Sequence, residues 1–144
     1  MHVAQEDPLL LDRQICFQLY AANNLLNRRY RPILAELGLT YPQYLVMLVL
    51  WEHHPQTVGA LGSHLYLDSG TLTPLLKRME GSGLVTRRRD PKDERCVMVD
   101  LTERGTALRE QALHVPERIA EGRMPEGIEN LREIVQNLIS ALTQ

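Results

Sequence analysis

The feature of this sequence that most constrains its fold is a pair of short helical segments separated by only three residues. The first spans Val58–Leu65 and has Thr57 in position to cap it, and the second spans roughly residues 69–80. Residues 66–68 form the connection between them. Two amphipathic helices joined by so tight a turn are typical of a helix-turn-helix.

A predicted β-hairpin follows at once. Strands at residues 84–89 and 96–101 flank a polar tip at residues 90–94. The second strand alternates, with Val97, Val99 and Leu101 on one side. Thr102 is then the expected N-cap of another helix. Helix, helix and hairpin in this order predict a winged helix-turn-helix, in a chain that is mostly α with a small β-wing.

A long helix, residues 10–37, is predicted ahead of this unit. It could begin with Asp7 as N-cap and Pro8 at the first helical position, or one turn later with Asp12 as N-cap, and Gly38 ends it. Apolar residues recur along it at three- and four-residue steps and form one stripe. These residues are Leu11, Ile15, Leu19, Ala22 and Leu26.

A second helix opens at residues 40–42, and its run at residues 45–51 is apolar on every side. Such a helix is expected to be buried by its neighbours. Two glycines, Gly81 and Gly83, are expected to stop the helix that precedes the hairpin.

A final helix is predicted after residues 122–127, which interrupt the helical pattern. It carries a seam of apolar residues with heptad-like spacing. These are Ile128, Leu131, Val135, Leu138 and Leu142. The seam could pack within its own chain or on a partner subunit. The first helix, which a winged-helix unit does not need for its own core, favours a homodimer.

The chain is therefore expected to form one domain, residues 1–144, with three regions. Residues of about 8–37 and 106–144 are the predicted dimerisation helices, and residues of about 40–101 are the predicted DNA-binding lobe.

Composition narrows the class of protein. No apolar stretch is long enough for a membrane span, and residues 1–7 lack the pattern of a secretion signal. Two cysteines do not make a disulfide scaffold, so a cytoplasmic protein without membrane contacts is expected. Neither a metal-ligand spacing nor a Ser-His-Asp or glycine-rich phosphate motif stands out, so no cofactor and no enzymatic activity are expected.

Positive charge is concentrated where a winged helix meets DNA. The whole chain carries −2, whereas residues 77–95 contain seven basic and four acidic residues, a local charge of +3. Short hydroxyl side chains begin the predicted recognition helix and longer basic ones follow, while the wing offers further groups. The candidate DNA-binding residues are Ser69, Thr71, Thr73, Lys77, Arg78, Arg88, Lys92, Asp93 and Arg95.

Two of these assignments, Ser69 and Asp93, have alternatives. Either Ser69 or its neighbour Asp68 could simply cap the recognition helix. Arg95 is expected to enter the minor groove, and Asp93 could orient it or only shape the turn.

Several segments carry a family resemblance. The wing residues 90–95, DPKDER, followed by residues 99–105, VDLTERG, resemble the MarR family of dimeric winged-helix regulators. Four other segments resemble the branch of that family that senses organic hydroperoxides. They are CFQLYA at 16–21, YRP at 30–32, LTYPQY at 39–44 and LDSGTLTPLLK at 67–77.

The resemblance implies a redox switch. Cys16 would be the reactive thiol, with Tyr30 and Tyr41 of the partner subunit hydrogen-bonded to its sulfur. An organic hydroperoxide as inducer would oxidise the thiolate to a sulfenic acid, and further reaction with a small thiol would release the repressor from its double-stranded DNA operator. The branch also has members with a resolving cysteine, but residues 115–127 contain none. Cys96 therefore has no assigned redox role, and the chain is interpreted as a one-cysteine member.

Two other interpretations remain open at the level of sequence. In one, the same DNA-binding fold is gated by a small aromatic ligand and Cys16 is inert, since a cysteine on an apolar stripe is more often a core thiol. In the other, Cys16 is the centre of a thiol peroxidase. The basic wing and the missing resolving cysteine disfavour that activity.

Overall fold

The computed structural model describes residues 7–122 and 124–144. Residues 1–6, which belong to the segment predicted to lack a secretion signal, lie outside the described residues, as does Arg123. The chain divides into two compact units, one extending to Leu113 and the other spanning residues 114–144.

The first helix starts later than the sequence predicts. A short 3-10 turn, Leu11–Arg13, precedes α1, Ile15–Ala35. Both predicted N-caps are wrong, because Asp7 closes a local turn by accepting from the Leu9 N–H, and Asp12 lies inside the 3-10 turn. Gln14 interrupts the helix with an extended backbone. Its side-chain amide donates back to the Pro8 and Leu10 carbonyls, at 2.7 and 2.9 Å.

The helix α2, Tyr41–Glu52, has a capping box at its start. The Thr40 hydroxyl accepts from the Gln43 N–H, and the Gln43 side chain accepts from the Thr40 N–H. Four of its side chains are buried, Tyr44, Val46, Met47 and Leu50. The expectation of burial on every side is wrong for Leu48, which is 41% exposed.

The helix-turn-helix is confirmed, with α3 at Val58–Leu65 and α4 at Ser69–Gly81. Thr57 caps α3 as predicted, accepting from the Ala60 N–H. The turn begins at Tyr66, in the left-handed conformation with φ 57°. It packs tightly on α3, because a Cβ on Gly62 would lie 2.6 Å from the Leu67 carbonyl oxygen.

The wing belongs to a three-stranded antiparallel sheet in the order β1-β3-β2. The strands are β1, Gln56–Thr57; β2, Val85–Asp90; and β3, Asp93–Leu101. The hairpin is confirmed, but its strands run closer to the tip than predicted, with Asp90 paired to Asp93. Strand β1 was not predicted. It is two residues long and is defined by its pairing with β3.

The helix α5, Glu103–Ala112, is fixed against the end of the recognition helix. Thr102 caps it as predicted, and the Thr102 hydroxyl lies 2.6 Å from the Gly83 carbonyl oxygen. Gly105 packs directly on the Leu84 carbonyl, and its own carbonyl accepts from the Trp51 indole N–H at 2.9 Å.

The second unit contains α6, Val115–Ala120, and α7, Ile128–Leu142. The predicted interruption between helices is confirmed, and Gly122 and Gly127 there adopt positive φ. Apolar side chains of α7 are exposed, among them Leu131 and Leu142. None of the described helices is long and apolar enough to cross a membrane.

Candidate nucleic-acid interface and redox cysteine

The helix α4 has one buried and one exposed face. Leu72, Leu75, Leu76 and Met79 are buried in the core. The five residues that the sequence predicts for DNA contact are all exposed, namely Ser69, Thr71, Thr73, Lys77 and Arg78. Three of them, Ser69, Thr73 and Lys77, follow at four-residue intervals and so share one side of the helix.

The cap of α4 is Asp68 and not Ser69. Its Oδ1 accepts from the Thr71 N–H at 2.8 Å. Hydrogen bonds from Thr71 hold the pKa of this carboxyl below its ordinary value. Ser69 is therefore the first helical residue, and its hydroxyl is not needed for capping.

The wing presents Arg88, Lys92 and Arg95 to solvent. The Arg95 side chain is 92% exposed. Asp93 Oδ1 accepts from the Arg95 N–H at 3.1 Å and from its Nε at 3.2 Å, and these bonds lower the pKa of Asp93. Asp93 thus shapes the turn and also orients Arg95, so its two alternative roles are compatible.

Two other arginines of the basic segment are engaged within the protein. Arg87 forms an ion pair with Glu80, with its NH2 and the Glu80 Oε1 3.2 Å apart. Arg89 donates to the Glu94 carbonyl at 2.7 Å. The pairing of Arg87 with Glu80 was not predicted, because Arg87 lies on β2, beyond the end of α4, and the two residues meet only when the wing folds back beside α4.

Cys16 is exposed and is the second residue of α1. It therefore lies in the first helical turn, where free N–H groups and the helix dipole favour a negative charge. Tyr30 lies fourteen residues further along the same helix, which at 1.5 Å per residue is about 21 Å away. A single chain therefore does not bring Cys16 and Tyr30 together.

Tyr30 and Tyr41 do come together, and Tyr44 joins them. The ring centroids of Tyr30 and Tyr41 are 4.8 Å apart, and each lies within 6.3 Å of the Tyr44 ring. Burial, then the neighbouring phenols Tyr41 and Tyr44, raises the pKa of Tyr30 to about 12, and burial also raises the pKa of Tyr41 and of Tyr44. All three phenols therefore stay protonated and able to donate at neutral pH. Tyr44 was not among the predicted site residues; it directly precedes the apolar run at residues 45–51 and is buried.

Cys96 lies in different surroundings. Its thiol donates to Asp93 Oδ2 at 3.6 Å. The negative charge of Asp93, followed by burial, raises the pKa of the Cys96 thiol above its ordinary value. Because the thiolate is the nucleophile, this arrangement makes Cys96 a poorer one.

A cavity of about 470 Å³ opens between the second half of α1 and the start of α2. Apolar side chains line most of it, including Leu34 and Leu39, and Arg31 and Tyr41 supply polar groups. Among residues 7–122 and 124–144, no group of three possible ligands could hold a metal ion. The His54 Nδ1 lies 2.7 Å from the Asp100 Oδ1.

Comparison with known proteins places these features in context. Residues 39–97 match the MarR family. The chain is 47% identical over 136 residues to the organic hydroperoxide resistance transcriptional regulator of Bacillus subtilis (strain 168), covering 94% of this chain and 92% of that protein. The solved structure of reduced AbfR bound to DNA is 38% identical, with a TM-score of 0.77, and covers 93% of this chain and 95% of that one. The structure of overoxidized AbfR bound to DNA has the same TM-score, 39% identity, and coverage of 92% and 94%.

Proposed function

The chain belongs to the MarR family of transcriptional regulators, and from that premise we propose that it is a homodimeric repressor that releases its operator when an organic hydroperoxide oxidises Cys16. The observation that carries this proposal is the position of Cys16. Its thiol is exposed in the first turn of α1, about 21 Å along that helix from Tyr30. This position suits a sensing site in which a second subunit supplies the tyrosines.

The dimer is supported by the exposed apolar side chains of α1. Ile15 is 64% exposed, Tyr20 65% and Leu25 62%. Large apolar side chains grouped on one helix are typical of an interaction surface. We propose that residues of about 8–37 and 106–144 form the dimer and that residues of about 40–101 bind DNA. Two-fold symmetry then requires an imperfect palindrome with half-sites about one helical turn apart.

In the DNA complex, the exposed face of α4 enters the major groove. Ser69, Thr71 and Thr73 approach the phosphates and base edges, while Lys77 and Arg78 extend the contact. The wing carries Arg95 towards the minor groove, with Asp93 orienting it, and Arg88 and Lys92 lie beside the phosphates. Support for this arrangement comes from the exposure of all these groups and from the DNA-bound structures of AbfR.

The proposed sensing step conserves atoms and electrons. The Cys16 thiolate attacks the terminal oxygen of the hydroperoxide, the O–O bond breaks, and the alkoxide takes a proton to leave as an alcohol. Sulfur is oxidised by two electrons to a sulfenic acid, and the peroxide is reduced. A small thiol then displaces hydroxide from this sulfur, which gives a mixed disulfide and water. Tyr30 and Tyr41 of the partner subunit donate hydrogen bonds to the thiolate beforehand, which their raised pKa values permit.

The test is operator binding with and without cumene hydroperoxide and a small thiol. Wild-type protein should release DNA, whereas Cys16→Ser should bind equally well and stay bound. Cys96→Ser is the matched control and should release like wild type. Release by the Cys16→Ser protein, or a Cys16–Cys96 disulfide detected by mass spectrometry, would contradict the proposal.

A second candidate is gating by a small aromatic acid, favoured by the cavity between α1 and α2. Its apolar lining suits an aromatic ring, and Arg31 at its wall suits a carboxylate. In this case 2-hydroxybenzoate should release the operator from wild type and from Cys16→Ser alike. An Arg31→Ala variant should then lose that response.

A further inference from the structure

The structure assigns Glu80 and Arg87 as a positioning pair that sets the wing relative to the recognition helix, a role that rests on the DNA-binding part of the proposed function. Neither residue contacts DNA in this proposal. The pair acts by keeping α4 and the wing at the spacing that two adjacent grooves require.

Glu80 contacts Arg87 through both of its carboxylate oxygens. Glu80 Oε2 accepts from the Arg87 backbone N–H at 3.0 Å, and Glu80 Oε1 accepts from the Arg87 guanidinium at 3.2 Å. Glu80 belongs to the last turn of α4, and Arg87 is the third residue of β2. One carboxylate therefore holds both the backbone and the side chain of the wing strand against the recognition helix.

The position of this contact in the sheet allows it to influence the tip of the wing. In the order β1-β3-β2, strand β2 has β3 on one side only among the described strands. The Arg87 N–H bonds to Glu80, so Glu80 occupies part of the edge that β3 leaves open. The groups that we propose for minor-groove contact lie at the far end of the same hairpin, so a small tilt at Arg87 becomes a larger displacement at the tip.

Arg87 is placed for this role and not for a phosphate contact. Its side chain is 24% exposed, and within the described residues its Nε is buried with no hydrogen-bond partner. Arg88 alternates to the opposite face of the strand and is exposed. A buried N–H without a partner is unfavourable for folding, so a gain in stability does not explain the arrangement well. Control of the orientation of the wing relative to α4 explains it better.

The direction in which Glu80→Ala changes the affinity for DNA distinguishes a positioning role from a simple effect of charge. Glu80→Ala removes a negative charge near DNA, and charge alone would then strengthen binding. We expect weaker binding instead, because the wing loses the contact that holds it against α4. Glu80→Ala and Arg87→Ala should each weaken operator binding by roughly tenfold to a hundredfold, the range for losing one or two base contacts. The double variant should be no weaker than either single one, since both remove the same interaction.

The experiment measures the affinity of the full-length protein for an operator duplex and a scrambled duplex between about 50 and 200 mM salt. For Glu80→Ala and Arg87→Ala we expect the operator to lose affinity far more than the scrambled duplex, with an unchanged salt slope. Arg88→Ala is the matched control and should weaken both duplexes and reduce the slope by about 0.9. Thermal unfolding should change little, because a partly exposed ion pair contributes little to stability.

Three results would overturn the assignment: a lower salt slope for Arg87→Ala, tighter binding by Glu80→Ala, or additive losses in the double variant. If an alanine variant is too unstable to measure, Glu80→Gln keeps one acceptor oxygen and should show an intermediate loss, and wild-type affinity in that variant would equally count against the pair. Failure of wild type to bind its operator would instead contradict the proposed function itself.

Discussion

The rings of Tyr30 and Tyr41 lie with their centroids 4.8 Å apart, which gathers two phenol side chains from α1 and α2 into one small patch. Within the part of the chain that is described, neither hydroxyl has a hydrogen-bond partner. The patch is about 21 Å along α1 from Cys16 of the same chain. It is thus available to the sulfur of a second subunit.

We therefore expect Tyr30→Phe and Tyr41→Phe to slow the oxidation of Cys16 by roughly tenfold to a hundredfold. This range corresponds to one hydrogen bond to a charged sulfur, about 1.5–3 kcal/mol. The rate is measured by trapping the remaining thiol after timed exposure to cumene hydroperoxide. Tyr66→Phe, at an exposed phenol in the turn between α3 and α4, should leave the rate unchanged. Equal oxidation rates in all three variants would show that the hydroxyls of Tyr30 and Tyr41 do not act on Cys16.

The exposed apolar side chains of α1 predict a substitution that separates the subunits. Leu25 is 62% exposed, and we expect Leu25→Glu to raise the dimer dissociation constant by at least about tenfold, because a carboxylate is costly to bury without a partner. Analytical ultracentrifugation measures this constant. Asn23→Glu adds the same charge at an exposed polar position of α1 and should have little effect. A Leu25→Glu protein that stays fully dimeric would exclude Leu25 from the interface.

The exposed guanidinium of Arg95 leads to a prediction for the wing. Arg95→Ala should weaken operator binding by about tenfold, the usual loss for one groove contact, without lowering the unfolding midpoint. Fluorescence anisotropy at fixed salt measures the affinity. Arg109→Ala removes an exposed arginine from α5 and serves as the control. Unchanged affinity in Arg95→Ala would show that the wing does not contact the operator as proposed.

The contact between Cys96 and Asp93 leads to a prediction about pH. The charge of Asp93 raises the pKa of the Cys96 thiol, so the alkylation rate of this cysteine should begin to rise only at higher pH than for an ordinary thiol. Asp93→Asn removes that charge and should shift the rate profile to lower pH. Iodoacetamide labelling in a Cys16→Ser background, followed by mass spectrometry, gives the profile. The matched control, Glu94→Gln, removes a neighbouring charge and should shift it less; identical profiles in all three proteins would contradict the assigned cause.

The close approach of α5 to the start of the wing predicts an effect on stability. A Cβ on Gly105 would overlap the Leu84 carbonyl oxygen, which is backbone and has little room to move. Gly105→Ala should lower the free energy of unfolding by more than about 3 kcal/mol. Gly81→Ala has open space around the new methyl group and should change it by no more than about 1 kcal/mol. Chemical denaturation at one fixed protein concentration compares them, and similar values for both would show that the backbone yields at Gly105.

Most of the helices and the order of the elements could be predicted from the sequence alone. Thr40, Thr57 and Thr102 were all predicted to open or cap helices, and all three do. The hairpin and the exposed face of α4 were predicted as well. These features depend on hydrogen bonds and side-chain periods that span only a few residues, so a local stretch of sequence contains all the information that they need.

The remaining features depend on how the chain segments pack after folding, and they could not be predicted from the sequence. Strand β1 is too short for an alternating pattern and is defined by Val99 and Met98 opposite it. The start of α1 depended on Gln14 turning its amide back to two carbonyls, and the grip of Glu80 on Arg87 depended on how the wing returns beside α4. Such contacts follow no fixed residue spacing and depend on the path that the backbone takes when the segments pack, so sequence periodicity carries no record of them.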